Sequence, residues 1–321
     1  MQLLRPPAVR PGDVVAVAAL SGGLDADEAE IATAGIAALE SLGFTVRTAP
    51  LVELGRGNWW SAGTPREIAA DLNALLADRE VRAIFALTGG RTTFSYLDLV
   101  DLDAVRSDPK PLLGFSDITA LQLALHAKTG LVTVHSDLVT HGLGYWHELE
   151  DDRRDALAAA LLAVLDGTAP HALPTSGSWE TWRSGTADGP LVGGLLNRLV
   201  KLQATPFALP PERFDGAILF WEDVSASTSS VWNDLHVLRL GGHLDRIAGM
   251  IVGPTSTIEE TDGGPDLRAV VLDVLGDREI PVLGNVEIGH NPPNLPLPLG
   301  IRARLDSSAP SLTLLEPAVV S

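Results

Sequence analysis

The chain contains no cysteine and little lysine: of its 321 residues 23 are basic, and only three of these are lysine. The absence of cysteine excludes disulfide bonds, thiolate-bound zinc or iron–sulfur sites, and a cysteine nucleophile. Positive charge is also in short supply, because 41 acidic residues leave a formal net charge of −18. A surface of that sign repels a phosphate backbone, so we expect no nucleic-acid partner.

Long apolar runs are missing as well. No stretch reaches the roughly 18 apolar residues that a membrane-spanning helix needs. The run at 156–165 is much shorter and indicates a buried helix. The apolar run at 14–20 follows several prolines and is too short for a signal peptide, so it indicates a β-strand. We therefore expect a cytoplasmic protein with no membrane partner.

The first 150 residues alternate between strand-like and helix-like patterns. Apolar runs at 14–20 and 81–87 predict strands that are buried on both faces, and helical periodicity marks 25–42. Another helix begins at Thr64-Pro65-Arg66-Glu67, where Thr64 is the N-cap and Glu67 completes a capping box. This alternation predicts a parallel sheet covered by helices, with a ligand site beyond the carboxyl ends of its strands.

The rest of the chain has a different pattern. Residues 151–188 are expected to form a linking helix and a crossing rich in Ser, Thr, Gly and Trp. They would separate an N-terminal α/β domain at 1–150 from a C-terminal domain at 189–321. Short apolar runs such as 217–221 and 247–252 predict strands in this second domain. No HExxH motif or convincing cluster of His, Asp and Glu indicates a metal site.

Ser116 is the first candidate for chemistry, because it follows an apolar strand and precedes a helix. A tight turn there would raise its hydroxyl above the sheet, beside the unpaired N–H groups of the helix start. Such a turn supplies a nucleophile and part of an oxyanion hole. The segment Gly114-Phe-Ser-Asp-Ile lacks the second glycine of a Gly-x-Ser-x-Gly elbow, however. Capping of the helix by Ser116 is the competing interpretation.

A serine nucleophile needs a base, and the base needs an orienting carboxylate. Among the eight histidines, His290 stands out because it follows a strand in the rigid segment Gly-His-Asn-Pro-Pro-Asn. Glu222 ends the apolar run 217–221, where a buried carboxylate needs a partner. The pair Gly89-Gly90 could bring a backbone N–H close to a ligand oxygen, although a plain turn is the default interpretation of a glycine pair.

Several segments of the chain form a distinctive series. The most specific block is Pro109-Lys-Pro-Leu-Leu-Gly-Phe-Ser-Asp-Ile-Thr-Ala, and the others are Arg10-Pro-Gly-Asp, Ser61-Ala-Gly-Thr, Ile218-Leu-Phe-Trp-Glu-Asp and Gly289-His290. In order and spacing, these segments resemble the serine LD-carboxypeptidase family, which includes muramoyltetrapeptide carboxypeptidases and microcin-immunity peptidases. The resemblance runs nearly from end to end.

The resemblance implies a fold and a set of site residues. It implies a flavodoxin- or amidotransferase-like N-terminal domain with a parallel sheet, a smaller β-rich α/β C-terminal domain, and a homodimer. No cofactor is implied. The family's Ser–Glu–His triad would span the two domains. Carried over to this sequence, the triad is Ser116, Glu222 and His290, and the oxyanion hole is formed by the backbone N–H groups of Gly90 and Asp117.

The implied reaction is hydrolysis of an amide bond near a free carboxylate. The leading hypothesis is release of the terminal D-alanine from a murein tetrapeptide during peptidoglycan recycling. Arg91 is the candidate for binding the carboxylate, unless it is a surface or structural residue. In microcin-immunity relatives a tryptophan of the crossing stacks on a nucleobase. Trp179 and Trp182 therefore keep aminoacyl-nucleotide conjugates as an alternative substrate. Packing of both side chains at the domain interface is the competing interpretation. A non-catalytic peptide-binding relative is the third hypothesis.

The chain departs from the family where substrate should bind. The loop after Gly90 reads Arg-Thr-Thr where the family usually continues Tyr, then Gly or Asn, then Ser. The usual Gly-Gly-Asn-Leu becomes Gly193-Gly-Leu-Leu, with Asn197 following, and the Ser229–Asp234 segment replaces one that bears Tyr and Arg. Trp59-Trp60 could line the substrate cleft or pack beside it. These changes leave the choice between a murein peptide and an aminoacyl-nucleotide open.

Overall fold

The computed structural model describes residues 2–25, 28–54, 57–260 and 263–321. The helices are α1 Ala29–Ser41, α2 Pro50–Leu54, α3 Pro65–Ala77, α4 Leu102–Ser107, α5 Ile118–Thr129, α6 Asp151–Asp166, α7 Leu196–Leu202, α8 Thr228–Leu240 and α9 Leu267–Leu275. The strands are β1 Val14–Ala18, β2 Thr45–Thr48, β3 Val81–Ala86, β4 Leu112–Gly114, β5 Val134–His135, β6 His171–Ala172, β7 Glu180–Arg183, β8 Thr186–Leu195, β9 Ile218–Glu222, β10 Ala226–Ser227, β11 Gly249–Val252, β12 Ile258–Glu259, β13 Val282–Gly284, β14 Leu297–Pro298, β15 Arg302–Asp306 and β16 Ser311–Leu314.

The chain divides into two compact units. The first comprises Met1–Thr168 with Leu295–Pro298 and Pro317–Ser321, and the second comprises Ala169–Asn294 with Leu299–Glu316. Helix α6 therefore lies in the first unit, whereas strands β6 and β7 lie in the second. The expected linking segment 151–188 is thus shared between the units, and its boundaries as a separate region stay a prediction.

The first unit contains a six-stranded sheet in the order β2-β1-β3-β4-β5-β14. Strands β1 to β5 run parallel, and β14 pairs antiparallel with β5 at the edge. β1 and β3 are buried along nearly their whole length, as expected for parallel strands covered on both faces. The predicted parallel sheet is confirmed. Ligands of such a sheet bind beyond the carboxyl ends of its strands.

Local sequence signals set the ends of two helices in this unit. At the start of α3, the Thr64 hydroxyl accepts a hydrogen bond from Glu67 N–H, and the Glu67 carboxylate accepts one from Thr64 N–H at 2.8 Å. This confirms the predicted capping box. Helix α5 ends at Gly130, whose φ of +81° is the left-handed conformation that glycine adopts without strain.

Of the helices in the described ranges, none has both the length and the apolar character to cross a membrane.

The second unit is built on an eight-stranded mixed sheet in the order β6-β16-β15-β8-β9-β11-β13-β7. Its centre, β8-β9-β11-β13, is parallel, and the flanking strands pair antiparallel. Strand β9 is buried at every residue. The α/β fold class, with a parallel sheet in the N-terminal unit and a β-rich second unit, is confirmed.

Strand β8 was not indicated by the sequence, because three glycines and a proline within it disfavour a strand. Packing explains one of these glycines. A Cβ on Gly193, whose φ is +154°, would lie 1.6 Å from the Phe220 carbonyl oxygen on the neighbouring strand β9. The residue that weakens the local signal is therefore the one that lets the two central strands approach.

Candidate active site

Ser116 occupies a tight turn between strand β4 and helix α5. Its φ of +61° is a left-handed conformation, which is uncommon for residues other than glycine and marks a strained turn. The turn passes directly into the helix, because Ile118 N–H donates to the Phe115 carbonyl at 3.2 Å. The N-cap position of α5 is Asp117, one residue after the serine. A strand-to-helix elbow therefore forms even though Ile118 replaces the usual second glycine.

The double glycine after β3 brings its main chain against this serine. A Cβ on Gly89 would lie 2.9 Å from Ser116 Oγ, so a side chain there would collide with the turn. Gly90 has a φ of +147°, and a Cβ there would lie 2.6 Å from Ser21 Oγ. Gly22 N–H donates to the Gly89 carbonyl at 2.8 Å, which joins the loops after β1 and β3. Glycine is present where the backbone must approach the serine closely.

The buried carboxylate of Asp117 holds these loops together. Its Oδ2 accepts hydrogen bonds from Ser21 Oγ at 2.7 Å and from Thr92 N–H at 2.7 Å. Thr93 adds two more, from its N–H at 2.9 Å and from its hydroxyl at 2.7 Å. Charge-assisted hydrogen bonds of this kind compensate for removing the carboxylate from water. Asp117 thus fixes the segment after Gly90 relative to the serine that precedes it.

Tyr96 is fully buried and strengthens the same arrangement. Burial, and secondly the negative charge of Asp117, raises the pKa of its phenol. The hydroxyl therefore remains protonated and donates to the Leu20 carbonyl at 2.6 Å. This bond connects the segment after β3 to the loop after β1 a second time.

The second unit contains a carboxylate–imidazole pair. Glu222, the last residue of β9, is 1% exposed, and its Oε2 lies 2.8 Å from His290 Nδ1. With its hydrogen on Nδ1, the imidazole donates to the carboxylate and keeps a lone pair on Nε2 to accept a proton. Glu222 Oε1 is buried with no hydrogen-bond partner among the described residues. The pair has the chemistry of a general base and its orienting carboxylate.

A glycine allows the His290 loop to approach Glu222. Gly289 has a φ of +101°, and a Cβ there would lie 2.3 Å from Glu222 Cγ and 2.4 Å from Oε2. Asn294 holds this glycine on both sides: its Oδ1 accepts the Gly289 N–H, and its Nδ2 donates to the Gly289 carbonyl at 3.0 Å. Any larger residue at position 289 would displace the loop from the carboxylate.

A second carboxyl group, that of Asp223, follows Glu222 directly and is also buried. Its Oδ1 accepts hydrogen bonds from Asn197 Nδ2 at 3.0 Å and from Val224 N–H at 2.8 Å. Desolvation raises the pKa of Asp223 to about 6, and the negative charges of Glu222 and Asp234 act in the same direction.

Within the described ranges, no group of three or more acidic or histidine side chains could hold a metal ion.

The side chains expected to bind substrate have different environments. Arg91 is exposed directly after the double glycine. Trp179 and Trp182, in the second unit, are only 7% and 4% exposed. Trp182 Nε1 donates to Glu180 Oε2 at 3.1 Å, and its ring lies on Gly284, where a Cβ would be 2.1 Å from Cε2. Packing within its own sheet accounts for the burial of Trp182.

The predicted site residues fall into two groups by unit. The first unit contains Ser116, Gly90, Arg91 and Asp117, and the second contains Glu222, His290, Trp179 and Trp182. Sequence reasoning considered only the backbone of Asp117 and missed its carboxylate, although an acidic residue at a buried strand end is a usable signal. It also missed the reason for Gly289 and the role of Asn294, for which the sequence offers no local signal beyond the Gly-His pair.

Two family models match the chain along most of its length. The LD-carboxypeptidase N-terminal domain matches residues 15–136, and the LD-carboxypeptidase C-terminal domain matches residues 188–305. The first match contains the Ser116 turn, and the second contains both Glu222 and His290.

Individual proteins are similar over most of the chain. The microcin C7 self-immunity protein MccF of Escherichia coli is 27% identical over 303 residues, which cover 88% of this chain and 87% of that protein. The murein tetrapeptide carboxypeptidase of Pseudomonas aeruginosa is 26% identical over 253 residues, covering 77% and 80%. The solved structure of MccF in complex with glutamyl sulfamoyl guanosine matches with a TM-score of 0.89 at 23% identity, covering 99% of this chain and all of that one, which shows a shared fold.

Proposed function

The chain belongs to the LD-carboxypeptidase family, and on that premise we propose that it hydrolyses a terminal peptide bond with Ser116 as nucleophile. The substrate we favour is a murein tetrapeptide, from which D-alanine is released; a relative named as a murein tetrapeptide carboxypeptidase supports this choice. The observation that carries the proposal is the Glu222–His290 pair. A buried carboxylate 2.8 Å from Nδ1 orients an imidazole for service as a base.

In the proposed mechanism, His290 Nε2 takes the proton of Ser116 Oγ while Glu222 holds the ring and stabilises the imidazolium. Oγ attacks the amide carbonyl, and the resulting oxyanion accepts hydrogen bonds from the N–H groups of Gly90 and Asp117. The imidazolium gives its proton to the leaving amine, which departs as the free amino acid. Water, deprotonated by His290, then hydrolyses the acyl-enzyme. The mechanism requires the two units to bring Nε2 within reach of Oγ.

Two further residues of the first unit have proposed roles. Arg91 binds the terminal carboxylate of the peptide, because a chain with a net charge of −18 needs a local cation to attract an anionic substrate. The carboxylate of Asp117 is a positioning residue. Its hydrogen bonds to Thr92 and Thr93 hold the loop that carries the Gly90 N–H.

The test is incubation with a muramyl tetrapeptide that ends in D-alanine, followed by mass spectrometry. We expect wild-type protein to release D-alanine, and Ser116→Ala and His290→Ala to release none while keeping the native circular dichroism spectrum. His147→Ala, which removes an exposed histidine, is the matched control and should retain full activity. Undiminished release by Ser116→Ala would contradict the triad, and no release by wild-type protein would contradict the murein substrate.

The second candidate is an immunity-type peptidase that cleaves aminoacyl-nucleotide conjugates. It is favoured by the relationship to MccF, whose solved complex contains glutamyl sulfamoyl guanosine. A parallel incubation with an aminoacyl sulfamoyl adenosine separates the two. Cleavage of that conjugate alone would establish the second candidate and make Trp179→Ala and Trp182→Ala the next variants. A chain that cleaves neither substrate and resists fluorophosphonate labelling would be a non-catalytic peptide-binding relative.

We also propose that the chain acts as a cytoplasmic homodimer. The family resemblance is the support for both statements. Light scattering should give a mass of two 33.8 kDa chains, and a mass of one chain at micromolar concentration would contradict the dimer.

A further inference from the structure

Trp59 and Trp60 form the exposed tip of a hairpin in the first unit. Asn58 and Ser61 exchange both main-chain hydrogen bonds, at 3.1 and 2.9 Å, so the two tryptophans are its two-residue loop. They are 78% and 59% exposed, and their ring centroids are 5.4 Å apart. Large aromatic side chains gain stability from burial, so a pair held side by side in solvent indicates a surface that binds something.

The hairpin keeps this tip in a strained conformation. Trp59 has a φ of +54°, which for a bulky residue is a genuine outlier. Glycine is the residue that suits the first position of a two-residue turn with positive φ. Strain of this kind persists where the side chain has a task that glycine cannot perform. The indole of Trp59 therefore occupies a position where glycine would suit the backbone better.

The hairpin is hydrogen-bonded to the loop that holds the nucleophile turn. Ala62 N–H and the Ser61 hydroxyl both donate to the Ser21 carbonyl, at 3.0 and 3.3 Å. The Ser21 hydroxyl donates in turn to Asp117 Oδ2 at 2.7 Å. Asp117 is the residue directly after Ser116. Two residues therefore connect the tryptophan hairpin to the proposed point of attack.

The sheet order gives an estimate of the distance between the tip and Ser116. The hairpin follows β2 and bonds to the loop after β1, whereas Ser116 follows β4. The strands that precede the hairpin are two to three strand spacings from β4, roughly 10–15 Å. An extended peptide covers about 3.3–3.6 Å per residue. Three residues beyond the scissile bond therefore span most of this distance, and the group attached to their far end would meet the tip.

We propose that Trp59 and Trp60 bind the sugar ring of a glycopeptide, with the apolar face of the ring stacked on the indoles. The inference rests on the proposed function, and it makes the sugar-linked murein peptide the preferred substrate over the free tetrapeptide. The length of the substrate selects the sugar as occupant. In a nucleotide conjugate only a sulfamate and a pentose lie between the scissile amide and the base, fewer bonds than in three amino-acid residues, so the base reaches less far than the sugar of a glycopeptide.

The test compares kcat/KM for a disaccharide tetrapeptide and for the same tetrapeptide without sugar. The double variant Trp59→Ala/Trp60→Ala should lose roughly tenfold on the glycopeptide, as expected for lost aromatic stacking, and less than twofold on the free peptide. Leu240→Ala is the control, because Leu240 is an 80% exposed apolar residue at the C-terminal end of helix α8. It should affect neither substrate. Equal losses on both substrates would overturn the proposal.

A second variant separates binding from folding. Trp59→Gly removes the indole and places glycine at the positive φ, so the melting temperature should not fall. Its kcat/KM on the glycopeptide should nevertheless fall severalfold. A lower melting temperature together with lost activity on both substrates would assign the tryptophans a structural role and contradict sugar binding.

If the wild-type chain cleaves neither peptide, the proposed function is refuted, but sugar binding by the tryptophans is not. Calorimetry on Ser116→Ala tests that binding directly. The disaccharide tetrapeptide should bind Ser116→Ala about tenfold more tightly than it binds the variant that also lacks both tryptophans, and the sugar-free peptide should not distinguish them. Affinity of the glycopeptide that is independent of the tryptophans would contradict the proposal. Tryptophan-dependent affinity for an aminoacyl sulfamoyl adenosine alone would assign the tip to a nucleobase and contradict it equally.

Discussion

The two halves of the proposed site are positioned by different means. In the first unit, main-chain geometry fixes Ser116 through its φ of +61°, and the Asp117 carboxylate beside it has four donors on one oxygen. In the second unit, Glu222 and His290 form a side-chain pair, and Glu222 Oε1 is buried with no hydrogen-bond partner among the described residues. The first half should therefore be sensitive to loss of the Asp117 charge, and the second half to changes of shape where Gly289 contacts Glu222.

The largest expected effect comes from removing one member of each half. Ser116→Ala and His290→Ala should each lower kcat/KM by about 10⁴-fold or more, because nucleophile and base act as a unit. The double variant should be no less active than either single variant. Steady-state kinetics on the tetrapeptide measures all three. Losses that multiply in the double variant would show that the two residues act independently and would break the proposed connection between the halves.

Asp117→Asn tests the first half at nearly constant shape. The variant replaces the charged acceptor of four hydrogen bonds with a neutral amide, so the loop carrying the Gly90 N–H should lose its fixed position. We expect kcat to fall by about 10²- to 10³-fold with KM changed less than threefold, as for loss of an oxyanion donor. Asp98→Asn, on an exposed side chain, is the control. A change confined to KM would contradict the positioning role.

Gly289→Ala tests the shape of the second half. The new Cβ would lie 2.3 Å from Glu222 Cγ, so the His290 loop must move away. A misplacement of about 1 Å in a catalytic group costs about 100-fold in rate. Gly276→Ala is the matched control, because Gly276 also has a positive φ, of +55°, but has no atom within 4 Å of a new Cβ. Equal effects of both variants on kcat would show that backbone strain, and not the contact with Glu222, is responsible.

The last prediction concerns stability and not rate: Asp223 should make the free energy of unfolding depend on pH. Its pKa is about 6 in the folded chain against an ordinary 3.8, so the folded state binds this proton more tightly than the unfolded state does. The contribution of Asp223 to the free energy of unfolding is therefore greatest below pH 4. It decreases by on the order of 3 kcal/mol as the pH rises through 6.

Asp223→Asn should remove this titration while keeping an acceptor oxygen for Asn197. In urea denaturation, the free energy of unfolding of the variant minus that of wild type should increase between pH 4 and pH 7, because only wild type loses stability over this range. A difference that stays constant over this range would contradict the raised pKa and the contrast in electrostatics between the halves.

The features predicted correctly from the sequence depend on local patterns. The parallel strands follow from continuous apolar runs, and the start of α3 follows from the Thr64–Glu67 capping box. The turn at Ser116 was located by the change from strand to helix, but its left-handed φ was not indicated, because Ile118 stands where the elbow motif has glycine. Strand β8 was missed because its glycines satisfy packing and not local propensity.

The features that sequence reasoning missed depend on contacts between distant positions. Asp117 and Ser21 are 96 residues apart in the chain, yet they are joined by a 2.7 Å hydrogen bond. Likewise, the need for glycine at 289 exists only because Glu222, on another strand, packs against it. No periodicity or capping signal encodes such contacts, so the family resemblance placed the residues and the structure supplied the physical reasons.

The central claim is that the Glu222–His290 pair activates Ser116, and fluorophosphonate labelling tests it most directly. Peptide mapping of labelled wild-type protein should locate the adduct on Ser116. The labelling rate should fall at least about 100-fold in His290→Ala, because the general base is lost, and it should also fall in Glu222→Gln. An adduct at another residue, or a Ser116 that reacts equally fast without His290, would contradict the claim.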